Sequence, residues 1–217
     1  MIGLATLLPG KAEAETTWSA DTSVHSKYLA STGSVFEDRI VRQSSLNVSR
    51  GNFWGTLWAN VNSDELSEVD YMAGYGKSLG PFNLSANAGF FNLRSFDTNV
   101  IDVWASASMQ VPLNPKLTVE RNLSAGGYDN DHGTYVDLEV NHNLVVGPVT
   151  IPVNAHVQYN NHYFADYSGA SVAQIDASLP MSLGKLALTP KLKAQKTLNG
   201  KNFNNEMVTS VTANYSF

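Results

Sequence analysis

Val211, Thr212, Ala213, Asn214, Tyr215, Ser216 and Phe217 run in strict alternation to the last residue of the chain. Successive side chains of a strand point to opposite faces. Val211, Ala213, Tyr215 and Phe217 therefore share one face, and Ser210, Thr212, Asn214 and Ser216 the other. A closed membrane barrel asks for this pattern in each strand. One row meets lipid, the other faces a wet interior, and aromatic rings sit at the membrane–water boundary. A soluble protein whose final strand happens to end in Phe is the competing reading, so the remainder of the chain must decide.

Working back from the terminus, period-two alternation recurs almost everywhere and helical periodicity almost nowhere, giving about twelve candidate strands. Trp18, Ala20, Thr22, Val24, Ser26 and Tyr28 form one face of the first, and Ile40, Ser44, Leu46 and Val48 mark the second. Phe53 to Val61, Val69 to Tyr75 and Phe82 to Phe90 supply the next three. The sixth is the cleanest: Ile101, Val103, Ala105, Ala107, Met109 and Val111 alternate with Asp102, Trp104, Ser106, Ser108 and Gln110. Leu117 and Val119, then Val136 to Leu144, Val149 to Tyr159, Ala173 to Leu179 and Leu186 to Ala194 lead to the terminal strand.

The connections alternate in length. Short Gly- or Pro-bearing turns fall at 50–52, 78–81, 112–115, 146–148 and 182–184, and longer polar segments at 30–38, 62–67, 92–99, 123–133, 160–170 and 197–205. Transmembrane barrels have an even strand number, short periplasmic turns and longer outer loops. Six long loops separated by five short turns match a twelve-stranded barrel with both termini on the turn side, whereas a soluble sandwich has no reason to sort its loops so. The expected fold is all-β: a single antiparallel up-and-down transmembrane β-barrel of about twelve strands over residues 15–217.

Composition agrees. Charged residues make up 15% of the 217 residues, against roughly 25% for an ordinary soluble domain. Mean hydropathy is −0.17. No stretch after residue 14 approaches the ~20 apolar residues of a membrane helix. The chain has no cysteine, which removes disulfides and thiolate metal sites and is compatible with an exported location. A net charge of −5 argues against a nucleic-acid partner. Residues 1–14, apolar at first and ending Ala12, Glu13, Ala14, read as the remnant of a secretory signal peptide, although a basic leading segment is missing.

Once the apolar rows fix the phase, the inward ionisable residues follow. Asp102, Glu120, Asp137 and Glu139 come from strands six to eight; Lys191 and Lys193 from the eleventh; His25 and Lys27 from the first. Strands six to eight lie roughly opposite twelve and one, so an acidic wall is expected to face a basic wall across the lumen. Such a field orients polar solutes and filters ions in a narrow passage. Asp21 and Asp176 add carboxylates near the basic side, and mutual pairing of these charges would instead plug the interior.

Enzymatic readings find little support. The chain has no Gly-x-Ser-x-Gly elbow, His-Glu-x-x-His, glycine-rich phosphate loop or EF-hand loop. His142, between Asn141 and Asn143, shares the lipid-facing phase of Val140 and Leu144, but no Ser accompanies it and the His-x-Ser-Asn-Gly motif of outer-membrane phospholipases is absent. His132, His156 and His162 lack metal-ligand spacing. No cofactor is expected.

Three resemblances bear on function. The terminal alternation closing on Tyr215 and Phe217 resembles the C-terminal signal that the outer-membrane assembly machinery reads in bacterial β-barrels, which implies that machinery and outer-membrane lipid as partners. Val24 to Tyr28, Gln43 to Ser49 and Gly51 to Val61 resemble a family of exported proteobacterial proteins of unknown function, known for a Ser-x-Tyr motif, a Gln-x-x-x-(Asp/Asn)-x-Ser motif and a Trp-Ala-Ser/Asn motif. That family's label refers to conserved Gly, Cys and Trp, and the Cys has no counterpart here. The match covers roughly the first 90 residues and implies an exported barrel, with no activity attached. By architecture the chain also looks like the small twelve-stranded channels for nucleosides or acidic sugars. The first expectation for function is a narrow passive channel for ions or small polar solutes in the bacterial outer membrane. A plugged barrel acting through its loops is the alternative, and a lipid-active membrane enzyme a distant one.

Overall fold

The computed structural model describes residues 14–63, 65–125, 132–163, 166–199 and 203–216. The signal-peptide segment up to residue 13 and Phe217 lie outside the described residues. In chain order the strands are β1 (Thr16–His25), β2 (Tyr28–Leu29), β3 (Val35–Glu37), β4 (Val41–Arg50), β5 (Phe53–Asn62), β6 (Glu65–Leu79), β7 (Phe82–Leu93) and β8 (Thr98–Met109). β9 (Lys116–Ala125), β10 (Thr134–Val146), β11 (Val149–Asn161), β12 (Ser168–Ser178), β13 (Met181–Leu183), β14 (Leu186–Thr197) and β15 (Glu206–Ser216) follow. A short 3-10 turn spans Arg94–Phe96. Among the described residues no helix is long and apolar enough to cross a membrane.

Each wall strand pairs antiparallel with its neighbours in sequence, β1 pairs with β15, and the β12–β14 pairing completes the ring. The result is a closed twelve-stranded barrel, which leaves no unpaired edge. β12 and β13 are one wall strand with an interruption: Ser178 faces Lys191 and Met181 faces Leu188, in continuous register on β14. The gap coincides with Pro180 on one side and Pro190 on the other, neither of which has an N–H to give.

Burial follows the pleat. Leu46, Leu57, Tyr71, Leu84, Ile101 and Leu138 are exposed on the outer wall, and Asn60, Asp102, Asp137, Gln158 and Gln174 are buried on the inner one. A soluble fold reverses this distribution; an apolar outer belt around a polar interior needs a bilayer. Phe53 and Tyr75, paired across β5 and β6 with rings 5.0 Å apart, lie on the belt at the short-turn end, together with Phe82. The interior is held by side-chain ladders instead of an apolar core. Ser85 and Ser106 lie 2.8 Å apart, Ser45 and Asn47 both donate to Asp21, and Asn141 and Asn154 both donate to Glu139 at 2.7 Å.

In two places the chain departs from the expected pattern. The first wall strand ends at His25, and Tyr28 does not continue its outward row. Ser26 N–H still donates to Thr209 O of β15 at 2.9 Å; from Lys27 the chain leaves the wall, and β2 and β3 form a hairpin that folds back into the barrel. The segment expected as a loop at 62–67 contracts to a tight connection between Asn62 and Glu65, because β6 starts earlier than its apolar row suggests.

Candidate lumen site

The hairpin reaches the inner wall on several sides through backbone carbonyls, which a turn leaves unpaired. Ser31 O accepts from Gln158 Nε2 on β11 at 2.8 Å and from the Tyr135 hydroxyl on β10 at 3.1 Å. Gly33 O accepts from Gln195 Nε2 on β14 at 2.8 Å. Gly33 occupies the tip with φ +87, and a Cβ there would sit 2.8 Å from Gln195 Oε1 and 2.9 Å from Val172 Cγ2. Both the left-handed backbone and the close approach call for glycine. On the opposite side Glu37 accepts from Asn60 of β5 at 3.0 Å, and Tyr28 packs on Trp58 with ring centroids 5.8 Å apart. At the hairpin's root Lys27 Nζ sits 2.8 Å from Asp38 and 2.7 Å from Glu206. Asp38, then Glu206, hold the Lys27 ammonium above the usual lysine range by hydrogen bonding.

Tyr163 folds in from the connection between β11 and β12. Its hydroxyl lies 2.7 Å from Asp102 Oδ2 on β8 and 2.7 Å from Glu120 Oε1 on β9. Below the hairpin, between these groups and β6, lies a cavity of about 350 Å³. Its walls combine aromatic rings with the carboxyls of Glu68, Asp70, Asp102 and Glu120. A further cavity of about 480 Å³ near the short-turn end is bordered by Thr17, Ser19, Asn47, Ser49 and Ser216 together with Trp18, Val48 and Trp54.

The ionisable residues read from the sequence divide into groups. Asp102 and Glu120 border the 350 Å³ cavity. Asp137 meets His156 at 2.8 Å, and Glu139 lies 3.5 Å from Lys116 within the Asn141 and Asn154 network. Lys191 pairs with Asp176 at 2.9 Å, while Lys193 stands within electrostatic reach of Lys191, Asp176 and Asp137. His25 accompanies this basic group and bonds Ser23 at 2.7 Å. Lys27 stands apart, at the hairpin's root. His142 is exposed, and among the described residues no three carboxylate or imidazole groups converge on a metal-sized site. Tyr215 lies on the outer face of β15, opposite Ala20 and Leu186.

Glu68 and Asp70 were not among the residues singled out from the sequence, although the signal was present. They occupy the phase opposite Val69 and Tyr71 and so had to face inward. Tyr28 and Tyr163 carried no such signal, because a loop that folds into a lumen does so through contacts remote in sequence.

No family model and no curated protein matches the sequence. Solved structures do. The fold is similar to the KdgM porin, at 11% identity and a TM-score of 0.60, over 92% of this chain and 99% of that one. It is similar to an outer membrane channel from Pseudomonas putida F1, at 11% identity and 0.59, over 97% and 100%. The NanC porin aligns at 11% identity and 0.57, over 91% and 100%.

Proposed function

We propose that the protein is a passive channel of the bacterial outer membrane for ions or small polar solutes. The observation that carries this reading is the hollow, polar interior. The lumen is lined largely by hydroxyl, amide and ionisable side chains, with aromatic rings beside them at a cavity of about 350 Å³, while Leu46, Leu57, Leu84, Ile101 and Leu138 face outward. A barrel built only as an anchor has no need of such an interior. The hairpin of β2 and β3 makes the passage narrow, which suits selective passage of small solutes over general diffusion. The solved barrels of similar fold are named as porins and an outer membrane channel, which supports the reading. Outer-membrane lipid, the barrel assembly machinery and small solutes are the partners this role requires.

The test is single-channel conductance of purified protein in planar bilayers, with ion selectivity at two salt concentrations. Discrete steps of small amplitude are expected. A folded barrel that inserts without conducting would leave the plugged barrel, acting through its loops, as the better reading.

A further inference from the structure

The 350 Å³ cavity has an unusual balance of chemistry for a solute path. Glu68 and Asp70 on β6, Asp102 on β8 and Glu120 on β9 all border it, and among the described residues no Lys or Arg does. The four carboxyls form a sequence, each within electrostatic reach of the next. Asp70 is 4% exposed and Asp102 2%, yet Oδ1 of each has no hydrogen-bond partner. The hydroxyl of Thr32, which the hairpin brings to the same cavity, is buried and unpartnered as well. Buried acceptors without donors are costly, and a charged guest of opposite sign relieves that cost.

Around these acceptors stand Tyr28, Phe36, Trp58, Phe91 and Trp104. Ring faces carry a negative quadrupole and attract cations, most strongly those with weakly hydrated, apolar substituents. A metal ion is a poor match. Among the described residues no three acidic or imidazole groups converge tightly enough to hold one, so the charges surround a volume and not a point. The volume lies in the roughly 300–1,000 Å³ range of small-molecule pockets.

We infer that this cavity is a binding site for a small organic cation of the alkylammonium class, held by Asp70, Asp102, Glu68 and Glu120 against the faces of Trp58 and Trp104. The inference rests on the channel reading, since the cavity lies in the lumen, and it names the class of solute that the passage favours. An anionic solute finds four carboxyls there and, among the described residues, no lysine or arginine to pair with.

Trp58 and Trp104 make the site observable in the folded barrel in detergent. Tryptophan fluorescence is titrated with choline and, separately, with 3,3-dimethylbutan-1-ol, its neutral carbon isostere, and with acetate. Saturable quenching by choline is expected, with at least tenfold weaker response to the neutral isostere and none to acetate. The double variant Asp102→Asn with Glu120→Gln should weaken choline at least tenfold while folding normally by heat-modifiability. Equal affinity for choline and its isostere in the unaltered protein would overturn the inference whether or not the variant folds. Unchanged choline affinity in a folded variant would overturn it too. Because binding is read without current, a barrel that conducts but ignores choline fails this inference alone. One that binds choline but never conducts fails the channel reading alone.

Discussion

At the scale of single residues, the two faces of one strand should have separate energetics. Ala105 lies mid-strand on the outer wall of β8, paired with Ala86 and Val119, whereas neighbouring Ser106 faces inward and meets Ser85. Ala105→Arg is expected to cost about 2–4 kcal/mol, the penalty for a cation near the bilayer midplane. Ser106→Arg should cost far less, because its guanidinium enters a wet lumen. Folding into bilayers against denaturant measures both, and equal costs would contradict the orientation of β8. Facing direction is also what the sequence conveyed best. Period-two alternation is enforced at every residue by the contrast between lipid and lumen, so Ala105, Asp102 and Glu120 could be placed from their spacing alone. The partners of an inward side chain could not be read that way. Asp102 meets Tyr163, sixty-one positions away, through the folding of a loop.

At the scale of elements, the inturned hairpin is tied to the wall by side chains and not by strand pairing. It contributes no pairing to the twelve-stranded ring, so the ring's hydrogen bonds do not depend on it. Replacing residues 29–36 with a Gly-Ser pair should therefore leave folding and heat-modifiability intact and raise single-channel conductance severalfold. An unchanged conductance would mean that the constriction lies elsewhere. Lys27→Met, which removes the pairing with Asp38 and Glu206, should leave the mean current similar but make it noisier, since the hairpin's root is loosened while its carbonyl contacts to Gln158 and Gln195 persist. The wall strands were legible because each buries an apolar row in one solvent and a polar row in another. β2 and β3 were not. Their residues lie within a segment whose length and polarity suit an external loop equally well, and it is contacts with Tyr135, Gln158, Gln195 and Asn60, on four wall strands remote in sequence, that draw it inward. Loop lengths were a coarser guide than facing direction, as the tight connection after Asn62 shows.

At the scale of the whole molecule, the lumen's charge is unevenly distributed. Glu68, Asp70, Asp102 and Glu120 gather around one cavity on β6, β8 and β9, while Lys191, Lys193 and His25 gather on β14 and β1. Asp176 offsets Lys191 at 2.9 Å, but Lys193 has no counter-ion of its own at that distance among the described residues. On the proposed channel reading, a permeating ion meets a carboxylate-rich side and a lysine side at different positions, and either can govern selectivity. Lys191→Glu combined with Lys193→Glu removes the basic side and reverses its sign, so the reversal potential in a KCl gradient should move toward stronger cation preference. Asp102→Asn with Glu120→Gln should move it the other way. Wall charges act through solution over the Debye length, about 10 Å at 0.1 M salt and 3 Å at 1 M, so both shifts should shrink as salt rises. A shift that persists at high salt would point to altered lumen shape instead of altered field. Shifts of the same sign from both variants would show that the two charge groups do not act on one ion path.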